Sequence, residues 1–77
     1  MFIITDEKYL KEMGFKKNED GDYIYKSVIN GSMKKLFTVY AGSLCMRYGK
    51  GTYASTEQLK CIYNWTKKDY IKWEELK

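Results

Sequence analysis

The stretch "YIYKSVINGSMKKLFTVYA", residues 23–41, decides the fold of this 77-residue chain. Two runs rich in β-branched and aromatic residues flank Asn30 and Gly31, and an Asn-Gly pair between such runs is a strong sign of a β-hairpin. Helix signals occur before the hairpin, in residues 5–14, and again after it, in residues 55–66. We therefore expect a mixed fold built around an antiparallel hairpin.

The register of this hairpin has two alternatives. A two-residue turn at Asn30 and Gly31 sets Lys26 against Lys35, which is a repulsive cross-strand pair. A three-residue loop shifts one strand by one position and gathers a cleaner apolar face. That face would hold Tyr23, Tyr25, Met33, Phe37 and Val39. We favour the second register.

A short helix is predicted over residues 6–13. Thr5 is a suitable N-cap, and acidic residues follow it in the first turn, where the helix dipole favours them. Gly14 can take the left-handed position that ends the helix, and Phe15 then packs back on Leu10. The predicted buried stripe consists of Tyr9, Leu10 and Met13.

The chain after the hairpin predicts a third strand over residues 44–48 and a second helix. Ser55 and Gln58 have the spacing of a capping box at the start of that helix. Its expected buried stripe is Leu59, Ile62 and Tyr63, with Cys61 and Trp65 beside it. Residues 69–77 fit either a further helical turn or an edge strand.

These elements predict an α+β fold in α-β-β-β-α order, a three-stranded antiparallel meander with an N-terminal and a C-terminal helix packed on one face. Residues 1–77 form a single domain, because half of this length could not bury a core. No apolar run approaches the ~18 residues that cross a bilayer, and no signal peptide is recognisable. We expect a cytoplasmic protein with no membrane contact.

The residue types argue against an enzyme. The sequence has no histidine, so the commonest general base and the Cys/His and Ser/His nucleophile pairs are missing. The stretch "NEDGD", residues 18–22, lacks the length and the distal glutamate of a calcium loop and predicts a polar turn. Cys45 and Cys61 are interpreted as small apolar core residues. We predict no catalytic residue, no metal and no cofactor.

The stretch "MRYGKGTY", residues 46–53, surrounds Lys50 with two glycines. A phosphate-binding loop needs serine or threonine directly after this lysine, where Gly51 stands. A glycine-hinged turn is therefore the expected structure. The residues around its tip, among them Arg47, remain candidates for binding.

The predicted element order resembles that of the double-stranded-RNA-binding domain. That family places a Gly-x-Gly stretch before its second helix, as Gly49 and Gly51 are placed here, but opens the helix with phosphate-binding lysines, where this chain has Glu57. The resemblance implies RNA binding. Separately, the formal charge of +4 and the cations along adjacent hairpins favour an alternative function as a nucleic-acid-binding module with a lysine-rich sheet face. Its cations would be Lys26, Lys34, Lys35, Arg47 and Lys50.

Eight tyrosines and two tryptophans are more than so small a core can enclose. Exposed tyrosine and tryptophan are enriched at protein interfaces. We expect a contact surface on the uncovered sheet face and the hairpin tips. Its candidate residues are Lys26, Lys34, Lys35, Tyr40, Arg47, Tyr48, Lys50, Tyr53 and Trp73.

The succession of "MGFKKNEDGDYIYK", a meander and a "TEQLKCIY" helix resembles small uncharacterised α+β proteins of phages and mobile elements in low-GC bacteria. The resemblance implies an accessory protein that acts by binding, in some cases to block a host defence system. The leading hypothesis is a small inhibitor that binds a host protein such as a defence nuclease. A homodimer formed through the uncovered sheet face is the other protein partnership expected.

Overall fold

The computed structural model describes residues 1–48 and 55–75. The elements are β1 (Phe2–Ile4), α1 (Tyr9–Met13), β2 (Lys16–Lys17), β3 (Tyr23–Ile29), β4 (Ser32–Val39), β5 (Arg47–Tyr48), α2 (Ser55–Lys67) and β6 (Ile71–Trp73). An antiparallel sheet has the order β2-β3-β4-β5, and β1 and β6 form a second, two-stranded antiparallel sheet. The α+β class is confirmed. The three predicted strands are present as β3-β4-β5, but β2 extends their sheet and β1 and β6 form a second one, so the predicted α-β-β-β-α order is not found.

Three short strands account for the difference. Strands β1 and β6 each have three residues and β2 has two, too few for a periodic pattern to stand out from the sequence. β6 settles the alternatives for residues 69–77 in favour of a strand over residues 71–73. Its partner is β1, which lies at the other end of the chain, so no local signal indicated the pairing.

The segment over residues 44–48 joins the two sheets. At its start, the Ile4 amide donates to the Leu44 carbonyl at 2.8 Å and the Met46 amide donates to the Phe2 carbonyl at 2.9 Å. At its end, β5 pairs with β4. The predicted third strand is therefore regular only over Arg47–Tyr48, and the same segment holds β1 against the larger sheet.

The β3–β4 hairpin has the two-residue turn. Asn30 and Gly31 have φ angles of 52° and 79°, and two successive left-handed residues are typical of the type I′ turn that fits the twist of a hairpin. Ile29 pairs with Ser32 across the turn, and Lys26 pairs with Lys35. The prediction of a three-residue loop was wrong, and the repulsive pair of lysines is present.

A β-bulge in β4 shifts the register by one residue beyond that pair, toward the open end of the hairpin. Tyr25 pairs with Phe37 while Lys26 pairs with Lys35, so Leu36 is an extra residue on β4. Leu36 and Phe37 are both fully buried. Tyr23 and Tyr25 therefore share a face with Phe37 and Val39 as expected. Met33, which was expected on that face, lies on the opposite one because it precedes the bulge.

Helix α1 is shorter than expected and is not capped by Thr5. The Thr5 hydroxyl donates to the Asp69 carbonyl at 2.8 Å, which ties the start of the chain to the end of α2. The helix end does follow the prediction. Gly14 has a φ of 100°, and the Phe15 amide donates to the Leu10 carbonyl at 3.0 Å, the bond of a Schellman cap.

The predicted buried side of helix α2 is confirmed for Ile62, Cys61 and Trp65 and is wrong for two residues. Leu59 and Tyr63 are 66% and 62% exposed. The stripe that packs inward consists of Gln58, Cys61, Ile62 and Trp65. Both stripes have helical spacing, and the bulge decides between them, because the Gln58 side-chain amide donates to the Leu36 carbonyl at 3.1 Å. The predicted capping box involves the Ser55 side chain, which lies outside the described residues.

An aromatic cluster fills the space between α2 and the larger sheet. The Trp65 ring lies 5.3 Å from the rings of both Phe37 and Tyr25 and 5.8 Å from Phe15, measured between centroids. Aromatic pairs at such distances add about 0.5–1.5 kcal/mol each beyond the area they bury. Leu10 and Met13 of α1 join the same core. That both helices cover one sheet face stays a prediction.

The orientation of α2 can be tested with two leucines. Replacing the fully buried Leu36 by alanine should lower the free energy of unfolding by about 2–5 kcal/mol. Leu59→Ala removes the same atoms from an exposed side chain and should change that free energy by no more than about 0.5 kcal/mol. Urea unfolding followed by tryptophan fluorescence measures both. Equal losses would contradict the orientation.

The Tyr25 hydroxyl gives the core a dependence on pH. Burial, followed by the hydrogen bond with Cys61, raises the pKa of Tyr25 from 10.0 to about 12. The folded chain holds this proton more tightly than the unfolded chain, so its contribution to stability is complete below pH 10 and is lost as the pH rises toward 12. The stability advantage of the unmodified chain over Tyr25→Phe should shrink above pH 10. A difference independent of pH would count against this burial.

Candidate binding surface

The larger sheet has one face whose side chains point away from the aromatic cluster, here called the outer face. One cross-strand row runs over all four strands, from Lys16 through Ile24 and Thr38 to Arg47. A second row is the pair Lys26 and Lys35, and a third is the pair Val28 and Met33. Ile24 and Thr38 are half-buried, and the other six side chains are exposed.

The charges of the outer face are all positive. Each of the four strands contributes one cation to it, Lys16 from β2, Lys26 from β3, Lys35 from β4 and Arg47 from β5. No strand of this sheet contains an aspartate or glutamate. Within residues 1–48 and 55–75 the one side-chain ion pair is Lys72 with Glu74, at 3.3 Å. The cations of the outer face are therefore not neutralised by any described carboxylate.

An exposed apolar pair lies at the hairpin end of the same face. Val28 and Met33 stand opposite each other and are 61% and 62% exposed. Directly opposite side chains in antiparallel strands are close enough to act as one contact. The outer face thus combines a cationic centre with a small apolar patch at one end.

One aromatic ring belongs to the outer face. The guanidinium carbon of Arg47 lies 5.5 Å from the centroid of the Tyr40 ring, within the range of a cation–π interaction. Tyr40 follows the end of β4 and is 49% exposed. The contact positions the single arginine of the sheet over a ring that would otherwise be available for stacking.

The structure brings together four of the nine predicted contact residues, and these are Lys26, Lys35, Tyr40 and Arg47. Lys34 pairs with Ser27 and lies on the opposite face of the hairpin. Tyr48 pairs with Phe37 on the inner face at the sheet edge, where its ring lies 5.8 Å from that of Phe37.

The other three predicted contact residues do not join this group. Trp73 lies on β6 with its ring 4.9 Å from Phe2, and therefore belongs to the smaller sheet. Lys50 and Tyr53, with the rest of the predicted glycine-hinged turn, lie outside the described residues.

Lys16, Val28 and Met33 are surface residues that the sequence interpretation missed. Lys16 was not assigned to any strand, because the two-residue strand β2 leaves no pattern of its own. Met33 was assigned to the inner face because the bulge was not foreseen. Val28 could have been found from the sequence, since it alternates with Lys26 along β3.

The acidic loop before β3 is held together by its own side chains. The Asn18 side-chain oxygen accepts from the amides of Asp20 and Asp22 at 2.9 and 3.0 Å. An Asp22 carboxylate oxygen accepts from the Ala41 amide at 2.8 Å and so fixes the turn after β4. The polar turn is confirmed, and the described residues contain no cluster of side chains suited to a metal ion.

The two cysteines differ in their surroundings. Cys61 is buried and its sulfur lies 3.7 Å from the Tyr25 hydroxyl oxygen. Burial raises the pKa of the Cys61 thiol, which keeps it in the unreactive protonated form at neutral pH. Cys45 is half-buried beside β1. The prediction of a core residue is confirmed for Cys61 and holds in part for Cys45.

Comparisons with known proteins return nothing similar. No protein-family model matches the chain, and no curated protein and no solved structure matches it. The resemblance to small phage and mobile-element proteins therefore stays a prediction. No helix within residues 1–48 and 55–75 is both long and apolar enough to span a lipid bilayer.

The lysine pair at the centre of the outer face should lower the free energy of unfolding. Lys35→Glu turns the repulsive pair with Lys26 into an attractive one and should raise the free energy of unfolding by about 0.5–1 kcal/mol. Lys34→Glu makes the same change of charge opposite Ser27 and serves as the matched control. Urea unfolding at low salt measures both, and the gain should diminish in 1 M salt. An equal gain in the control would show a general effect of net charge instead.

Proposed function

We propose that this protein is a non-catalytic binding protein whose contact surface is the outer face, and that its partner is a negatively charged macromolecule. The observation that carries the proposal is the set of four cations, one from each strand, with no carboxylate anywhere in the sheet. Such a face attracts an anionic surface over a distance comparable to the Debye length and repels a cationic one.

The first candidate partner is a host protein with an acidic surface, as the resemblance to small phage proteins implies. The exposed pair of Val28 and Met33 supports a protein partner. Methionine is enriched in protein interfaces and adapts to irregular apolar pockets. In this arrangement the apolar pair is the anchor, and Lys26 and Lys35 beside it contact the acidic rim of the pocket.

The second candidate partner is a nucleic acid, which the segregation of charge supports. All ten acidic residues of the sequence lie outside the four strands, whereas six of its cations lie within them. Four of these six cations lie on the outer face. A cluster of lysine and arginine on one face is typical of nucleic-acid-binding proteins.

A homodimer formed through the outer face is disfavoured by its charge. A two-fold interface places the same patch on both subunits. Here that contact would bring two sets of cations together with no carboxylate to neutralise them. A second copy of the chain is therefore the least suitable occupant of this face.

A host protein partner can be tested by capture from a nuclease-treated lysate of a low-GC bacterium, followed by reconstitution of the complex from purified components. The unmodified chain and the control Leu59→Ser/Tyr63→Ser, which alters an exposed pair on α2, should form a complex of fixed stoichiometry by light scattering. Val28→Ser/Met33→Ser should abolish it, because it removes the apolar anchor. Lys26→Glu/Lys35→Glu should weaken it most at low salt.

Circular dichroism would verify that each variant is folded. A complex that survives both outer-face variants but is lost in the α2 variant would contradict the proposed surface. Turnover of a substrate that one substitution abolishes, in a protein with no stable partner, would contradict a binding function altogether.

A further inference from the structure

We infer that the outer face binds the phosphate backbone of double-stranded nucleic acid, without reading its sequence. This inference rests on the proposed function and selects among its partners. Lys16 and Arg47 occupy the two ends of the row that crosses the sheet, and three strand spacings of about 4.8 Å separate them by roughly 14 Å. Lys26 and Lys35 lie one row away along β3 and β4.

The four cations project from neighbouring strands of one sheet. A duplex carries one phosphate charge per about 1.7 Å of its axis, and each cation that neutralises a phosphate releases condensed counterions. The cross-strand pair of Lys26 and Lys35 strengthens the argument, because two neighbouring like charges repel each other in the free protein. A polyanion relieves that repulsion on binding.

Among the described residues the outer face offers one aromatic ring, that of Tyr40, and this scarcity of stacking surface favours a duplex over a single strand. Proteins that bind single strands combine a basic groove with aromatic rings on which successive bases stack. Ile24 and Thr38 occupy the centre of the row that crosses this face. The ring of Tyr40 is already in contact with Arg47. The cations of the face can then contact phosphates, and a double helix presents a stiff and regular array of these.

The chemistry of the face also explains why the base sequence should not matter. Specific recognition of base edges favours the bidentate guanidinium of arginine, or asparagine and glutamine. Among the cations of this face only Arg47 has that group, and its guanidinium lies against Tyr40. The lysines act as point charges that contact phosphates of any sequence.

The test is fluorescence anisotropy of a labelled 20-base-pair DNA duplex titrated with the whole chain between 50 and 200 mM salt. Four phosphate contacts predict a slope of log affinity against log salt of about −3.6, which is a loss of about 150-fold over this range. Lys26→Gln/Lys35→Gln should reduce the slope to about −1.8, because two contacts remain.

Lys60→Gln/Lys67→Gln on α2 is the matched control, because it removes the same charge from exposed positions outside the sheet. The control should keep a slope near −3.6, as expected for four contacts. Val28→Ser/Met33→Ser should also keep the slope and lose no more than about twofold in affinity, since the apolar pair neutralises no phosphate. Two duplexes of unrelated sequence should bind equally.

Four results would overturn the inference: no binding at 50 mM salt, an equal loss of slope in the α2 control, tighter binding of the single strand than of the duplex, or a strong preference for one sequence. If the duplex does not bind but a protein complex that depends on Val28 and Met33 forms, the proposed function stands and this inference fails. If neither partner binds through the outer face, both fail.

Discussion

One extra residue in β4 sets the arrangement of the whole molecule. The bulge at Leu36 turns two successive side chains, Leu36 and Phe37, toward the core, where a regular strand would bury only one of them. A bulge also leaves backbone groups outside the ladder, and the buried Gln58 amide bonds to the Leu36 carbonyl. This bond fixes which side of α2 faces the sheet, and Trp65 on that side then completes the aromatic cluster. The bulge, the side of α2 that faces the sheet and the packing of the core therefore depend on one another.

The same bulge determines the composition of the outer face. Before it, the alternation along β4 places Met33 and Lys35 outward. After it, Thr38 takes the outward position, and Phe37 and Val39 point inward. The inner side chains beyond the bulge are consequently apolar, while Lys26, Lys35 and Arg47 lie on the outer side. A regular register would have placed Ile24 opposite Phe37, and this separation of apolar and charged faces would be lost.

The sequence predicts what depends on neighbours along the chain and misses what depends on distant partners. The Asn30-Gly31 hairpin, the glycine cap at Gly14 and the existence of α2 follow from local chemistry. The pairing of β1 with β6 links opposite ends of the chain, and two helical stripes on α2 were equally periodic until the bulge selected one. For the surface, the lysines of the hairpin were predictable, but their alignment with Lys16 and Arg47 required the register of four strands.

The contact between the two ends of the described chain bears on how the protein folds. The amino group of Met1 donates to the carbonyl of Glu74 at 2.8 Å, and the two residues are 73 positions apart. Closing so long a loop has an entropic cost that local contacts must first offset, and pairings of this kind slow folding. During synthesis β1 can bond to the segment over residues 44–46 first, but it cannot pair with β6 until the last strand has been made. The β3–β4 hairpin is local and can form earlier. The bulge can therefore organise the core before β1 pairs with β6.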